Sequence, residues 1–354
     1  MNASAGIGVP APPALPARRA HAGRGAPYAT VRGAVGAGTA MSLVGSLTAV
    51  SATIGAYPVF GGQALRYAVA AAILFAIGRR RAGSRERIPP GGRGLSRREA
   101  GLLVALAATG LAGFNVFLVE AVRHSGPATV GTVIATVPVV LALAGPLQQR
   151  RRPSPRIVAA ALVVTCGAVL ATGLGGGGLT GSLLALGALA GEAGFSLLAV
   201  PLLPRLGPVR VSAHAAAFAV PMLLVAGLVA DGRGVVRLPT AAEAMALAYI
   251  AVVITVVAFF LWYDALGRLG ADRAGLFAGV IPISAIVTTV VLGLGAPAPA
   301  ELAGAVLVAA GVVIGLRPAR GARTAERRAR LGARPAERGP YPGGRSEPPR
   351  KQET

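Results

Sequence analysis

Apolar residues in this chain come in long unbroken runs rather than in alternating or one-sided patterns. From Gly33 onward the runs are roughly 17 to 25 residues long, the length an α-helix needs to cross about 30 Å of hydrocarbon at about 1.5 Å per residue. Ten such runs can be marked, at 34–54, 57–78, 100–120, 127–147, 156–174, 181–201, 208–230, 242–264, 272–294 and 300–316. The seventh has the least defined start, because Pro204 and Pro208 interrupt it. Closed β-barrels are the other way to satisfy backbone groups in lipid, and they need alternating segments of about ten residues. These runs do not alternate. The pattern predicts an all-α polytopic membrane protein with ten transmembrane helices.

Arginine placement orients the spans, because short cytoplasmic loops carry the Lys and Arg excess. Arg18, Arg19, Arg24 and Arg32 precede the first span; Arg79, Arg80, Arg81, Arg85, Arg87, Arg93, Arg97 and Arg98 follow the second; Arg150, Arg151 and Arg152 follow the fourth. The loops after the first, fifth and ninth spans have no Arg or Lys, and Arg123, Arg233 and Arg237 are the exceptions. Both termini are therefore expected on the cytoplasmic side of the inner (plasma) membrane. Residues 1–33, rich in Pro, Ala and Arg, and 317–354, rich in Arg, are expected to be disordered cytoplasmic tails.

An internal repeat runs through the chain at a constant offset of 144 residues: Glu120-Ala121 matches Asp264-Ala265, Gly126 matches Gly270, Gly131 matches Gly275, Pro138 matches Pro282 and Gly167 matches Gly311. Each copy holds five of the marked runs, 34–174 in the first and 181–316 in the second. Five is odd, so the second copy enters the membrane in the opposite sense. The expected architecture is two inverted five-helix repeats, an arrangement that recurs in secondary transporters.

Composition narrows the function. Hydrophobic residues are 54% of the 354 and charged residues 14%. The formal charge of +22 sits in tails and loops rather than among aromatic recognition elements, which argues against nucleic acid as a partner. Cys166 is the single cysteine, so neither an intramolecular disulfide nor a cysteine metal cluster can form. No Walker loop, HExxH or DDxxD-like run is present, the loops are too short for a catalytic domain, and neither an enzyme nor a cofactor or metal is expected.

Several segments resemble the drug/metabolite transporter superfamily, specifically its ten-span EamA-type members with two EamA domains. They are LRYAVAAAILFAIGRRR with Arg66, FLVEAVRHSGPATVGTVIATVPVV with Pro138, FLWYDALGRLGADRAGLFAGVIPISAIV and AGAVLVAAGVVI. The resemblance covers about residues 35–316. Members commonly place a Gly-Glu pair between the fourth and fifth helices of each domain, where Arg150-Arg151 and Leu294-Gly295 stand here. It implies a secondary exporter or exchanger of small metabolites, amino acids or drugs, working without ATP hydrolysis. A facilitating channel for a small neutral solute is the alternative, and a membrane enzyme acting on lipids is a third. The partners expected are a small solute and the lipid bilayer, with a homodimer left open.

A charge inside a span costs roughly 2.5 to 3.5 kcal/mol at a helix centre, so each one needs a partner or a wet cavity. Glu192, in GALAGEAGFS between Gly187, Gly191 and Gly194, is either a substrate or proton site or a carboxyl satisfied by Arg66. Arg66 either orients the helix or holds an anionic group. Asn115, Trp262 and Tyr263 are candidates for lining the site, against the alternative that the aromatics anchor at the interface. Glu120 and Asp264 are candidate gate elements or ordinary helix-end ion pairs with Arg123 and Arg268. Pro138 and Pro282 are expected helix kinks, and His214 has no evident partner.

Overall fold

The computed structural model describes residues 26–47, 50, 54–84, 94–174, 178–293 and 295–317. Every regular element among them is a helix. Most of the two tails, together with Arg85, Arg87, Arg93 and Leu294, lies outside the described residues. The chain forms a unit over 1–315 and a second over 316–354, of which only Leu316 and Arg317 are described.

The helices are α1 (Ala26–Gly45), α2 (Val59–Ser84), α3 (Arg97–Leu106), α4 (Phe114–Ile134), α5 (Val137–Gln148), α6 (Pro155–Thr172), α7 (Leu179–Leu197), α8 (Leu203–Asp231), α9 (Ala241–Tyr249), α10 (Ala258–Leu269), α11 (Ala271–Ala274), α12 (Val280–Val291) and α13 (Pro299–Leu316). α1 starts eight residues ahead of the expected span, at Ala26 rather than 34. Eight helical stretches among the described residues are long and apolar enough to cross a membrane. The difference from ten arises in two places. The stretch Arg97–Ile134 joins the third expected span to the start of the fourth, whose remainder is the shorter helix Val137–Gln148, and part of the first expected span falls on residues not described.

Arg97–Ile134 is one stretch by length only, because Gly126 inside it has φ 75° and ψ 163°. Glycine takes that positive φ without steric cost, and Pro127 after it disfavours helical ψ at the preceding residue, so the chain turns there. Gly270, at the repeat offset from Gly126, adopts nearly the same geometry, φ 81° and ψ 160°. Other irregularities recur in the same register. π-helical turns occupy Ala107–Gly113 and Ile250–Val257. Capping boxes start α3 with Ser96 and Glu99 and α9 with Thr240 and Glu243.

Each capping carboxylate also binds an arginine from elsewhere. Glu99 takes Arg205 of α8. Glu243 takes Arg237, at 2.5 and 2.9 Å, and Arg237 donates to the Ala56 carbonyl at 3.3 Å and lies 4.9 Å over the Tyr57 ring. This pairing explains how one of the arginines that breaks the loop charge bias is accommodated.

Packing crosses between the repeat copies. α1 packs on α10, α7 packs on α4, and α2 packs on α8. α6 and α13 meet at glycines. A methyl group on Gly167 would lie 2.7 Å from the Gly304 carbonyl oxygen and 2.8 Å from the Val308 nitrogen; on Gly311 it would lie 2.9 Å from the Ala160 oxygen and 3.0 Å from the Val164 nitrogen. Moving along α6 from 160 to 167 therefore moves down α13 from 311 to 304, so the two helices run antiparallel. The second set of contacts is also the first displaced by the repeat offset. A core of Ala142, Ile157, Ala160, Val164, Leu276 and Val308 fills the space beside this crossing.

Candidate functional site

A cavity of about 480 Å³ opens in the middle of the helices, with walls from α1, α2, α4, α5, α6, α7, α10, α12 and both π-helical turns. That volume suits a small-molecule ligand. Phe195, Phe259 and Trp262 line it, and it reaches Val122, Pro127 and Thr172 near the Gly126 turn. Seven repeat-related pairs sit in this wall: Gly110 and Ile254, Phe114 and Ala258, Asn115 and Phe259, Leu118 and Trp262, Ile134 and Ala278, Val137 and Ile281, Pro138 and Pro282. The two repeat copies thus contribute matching surfaces to one chamber.

Two ionisable side chains of opposite sign stand in a mostly apolar wall. Arg66 is held from three sides: its Nε donates to Thr255 Oγ1 at 2.7 Å, its Nη1 to Gln63 Oε1 at 2.9 Å, and the guanidinium lies 4.8 Å over the Tyr67 ring. The Thr255 hydroxyl in turn donates to the Ile250 carbonyl five residues back at 2.9 Å, a spacing the π-helical turn supplies. Glu192 comes from α7. Glycines on that helix let it press against the opposite π-helical turn, since a methyl on Gly191 would sit 2.8 Å from the Thr109 oxygen and one on Gly194 3.1 Å from its hydroxyl. The pairing of Arg66 with Glu192 left open by the sequence does not occur. Among the described residues no hydrogen bond or ion pair reaches the Glu192 carboxylate.

Of the other expected site residues, Asn115 and Trp262 line the cavity. Asn115 Nδ2 donates to the Leu111 carbonyl at 2.7 Å, and Trp262 Nε1 donates to Ser196 Oγ at 3.2 Å. Tyr263 does not line it. Fully buried, it stacks behind the wall against Phe195 and Phe259, with ring centroids 5.0 and 6.2 Å away. Successive residues on a helix point about 100° apart, and the rotation of α10 turns Trp262 to the cavity and Tyr263 behind it.

Glu120 and Asp264 are outside the wall, each matched by the arginine expected beside it: Arg123 at 2.8 Å and Arg268 at 2.6 Å. Asp264 also faces Arg32 of α1 at 4.0 Å. Pro138 and Pro282 reach the cavity, and each follows an interruption of its expected span, the turn at 135–136 in one case and the 3-10 turn Gly275–Gly279 in the other. Pro138 lies in the first turn of α5, and Pro282 near the start of α12 after a 3-10 turn, where a missing N–H costs nothing. His214 Nδ1 lies 2.7 Å from the Arg210 carbonyl oxygen. Sequence reasoning missed Gln63, Tyr67 and Thr255. Gln63 had a signal, one helical turn before Arg66, whereas Thr255 had none.

A bundle of membrane-length helices around one partly charged cavity defines a multi-pass membrane transporter. The model of the EamA-like transporter family matches residues 32–173 and again 179–317. The chain therefore belongs to that family, within the drug/metabolite transporter superfamily. It is 26% identical over 262 residues to the uncharacterized transporter YetK of Bacillus subtilis (strain 168), across 72% of this chain and 77% of that protein. A crystal structure of another protein superposes with TM-score 0.66 at 21% identity, over 81% of this chain and 97% of that one, which speaks to the fold.

Proposed function

We propose that this protein is a secondary transporter that carries a small zwitterionic solute with an apolar body, amino-acid-like in its charges, by alternating access. The observation that carries this reading is the pair of unlike charges in one apolar cavity: Arg66, held by neutral partners, and Glu192, held by none among the described residues. Each charge is expensive in a low-dielectric chamber. A bound zwitterion compensates both at once, its anionic end at Arg66 and its cationic end at Glu192, with its apolar part on Phe114, Phe195, Phe259 and Trp262. Export is the direction the family resemblance implies.

Counterflow in proteoliposomes tests the proposal. With an apolar amino acid inside, exchange is expected for the same compound outside, and neither its methyl ester nor its N-acetyl form should exchange. Equal downhill flux of uncharged solutes without counterflow would favour a facilitating channel instead.

The proposed architecture is ten spans in two inverted five-helix repeats, about 34–174 and 181–316. The antiparallel α6–α13 crossing and the repeated turns, capping boxes and π-helical segments support it. The arginine bias supports cytoplasmic termini in the inner membrane. Alkaline phosphatase fused after residue 317 should be inactive and a green fluorescent protein fused there fluorescent; a periplasmic C-terminus would overturn the ten-span count.

A further inference from the structure

α5 and α12 end in the same turn but put different residues at its tightest place. After α5 the residue Gln149 has φ −90° and ψ 11°, and after α12 the residue Leu292 has φ −82° and ψ 1°. The next residue swings to positive φ in both, 55° at Arg150 and 67° at Gly293. Its N–H donates to the carbonyl three residues back, Leu147 at 2.9 Å in the first turn and Val290 at 3.0 Å in the second. Glycine takes that conformation freely, whereas a side chain there crowds the following carbonyl. Among the described residues Arg150 alone adopts positive φ without being glycine. An arginine is thus held in a strained backbone at a place where the second repeat copy uses glycine.

A loop that had only to carry positive charge would not need this arginine, since Arg151 and Arg152 follow it directly. All three are exposed, and among the described residues no carboxylate pairs with any of them. Arg151 is steadied by a neutral group, its Nε and Nη2 donating to Gln149 Oε1 at 3.2 and 2.8 Å. The support beneath them is fixed from both sides. Gln148 Nε2 donates to the Leu197 carbonyl of α7 at 2.9 Å, and Arg156, in the first turn of α6, donates its Nε to the Ile314 carbonyl of α13 at 2.9 Å. Leu147 in the last turn of α5 and Ile314 in the last turn of α13 are exposed apolar side chains beside this turn. Uncompensated guanidinium groups next to an exposed apolar surface match a lipid phosphate, whose oxygens accept from the guanidinium forks while its chains cover the helices.

We infer that the turn between α5 and α6 binds an anionic phospholipid of the cytoplasmic leaflet, with the phosphate held by Arg150, Arg151 and Arg152 and the acyl chains against Leu147 and Ile314. The choice of leaflet rests on the orientation proposed above, which the fusion after residue 317 tests separately. Lipid binding is measured on the purified full chain in detergent, with phosphatidylcholine or phosphatidylglycerol added, by native mass spectrometry and by the melting temperature of the same samples. The parent protein should retain phosphatidylglycerol over phosphatidylcholine and melt higher with it. Arg150→Gly separates a lipid role from a backbone role, because glycine relieves the positive φ. In phosphatidylcholine it should melt at or above the parent temperature, while its affinity for phosphatidylglycerol falls about 5-fold, the effect of one arginine at an anionic surface. Adding Arg151→Gln and Arg152→Gln should lower that affinity on the order of 100-fold. Arg97→Gln with Arg98→Gln, which removes two exposed arginines elsewhere on the same side, should bind as the parent does.

No preference of the parent for phosphatidylglycerol, or parent-level binding by the triple variant, overturns the site. So does an equal loss in the Arg97 and Arg98 control, which would show general surface charge, or a lower melting temperature of Arg150→Gly in phosphatidylcholine, which would show a structural arginine. The same rise in melting temperature with inorganic phosphate would mark a free-anion site and overturn the lipid. A periplasmic C-terminus with lipid binding intact would overturn the leaflet alone.

Discussion

Glu192→Gln should remove solute exchange while leaving expression and folding intact. The amide keeps the shape of the side chain, and no arginine loses a partner, because none is paired with Glu192 among the described residues. Stability is therefore preserved, unlike the case of a buried ion pair broken on one side. The loss falls on the solute, whose cationic end no longer meets a carboxylate. Removing one partner of a desolvated charge pair typically costs about 2 to 5 kcal/mol, so solute affinity should fall by roughly 30-fold to a few thousand-fold. Arg66→Gln should also abolish binding, and combining it with Glu192→Gln should not rescue stability, since the two side chains do not compensate each other. Counterflow and size-exclusion profiles of the three variants measure both effects. Parent-level exchange by a well-folded Glu192→Gln protein would remove this residue from the site.

The largest effect on folding is expected at the α6–α13 crossing. Added bulk at Gly167 or Gly311 meets backbone atoms of the facing helix, the Gly304 oxygen in one case and the Ala160 oxygen in the other. Backbone cannot step aside as the end of a flexible side chain can, so the helices must separate. Overpacking by a few methylenes typically costs about 1 to 3 kcal/mol, and here it would also unseat the adjoining core around Val164 and Val308. Gly167→Leu and Gly311→Leu should therefore leave little monodisperse protein after extraction in mild detergent. Gly101→Leu is the control: nothing lies within 4 Å of a methyl placed there, and its profile should match the parent. Comparable yields for all three would show that the crossing is not needed for folding.

Much of this molecule was legible from its sequence. Lipid as the solvent followed from run length and low charge, because a backbone in hydrocarbon must satisfy itself within a helix. The offset of 144 residues was visible in a few glycines, prolines and acids, and the structure places the turns at Gly126 and Gly270, the capping boxes and the π-helical segments on the same register. Glu192, Arg66, Asn115 and Trp262 stood out because polar groups within apolar runs are costly, and all four line the cavity.

What the sequence left open depends on which surfaces meet. Arg66 has charge-compensating candidates throughout the chain, and only packing selected Thr255, 189 residues away, over Glu192. Trp262 and Tyr263 look alike as neighbouring aromatics, and helix rotation put one in the wall and the other behind it. α5 and α12 hold equivalent places in the repeat, yet α5 buries six of its residues and α12 none. Hydropathy sums over a whole span and is blind to which side of the helix a neighbour covers. Apolar helical runs, repeat register and costly charges are local properties of the chain and can be read from it. The pairing of charges and the burial of each helix come from contacts between distant segments, and only the tertiary structure decides them.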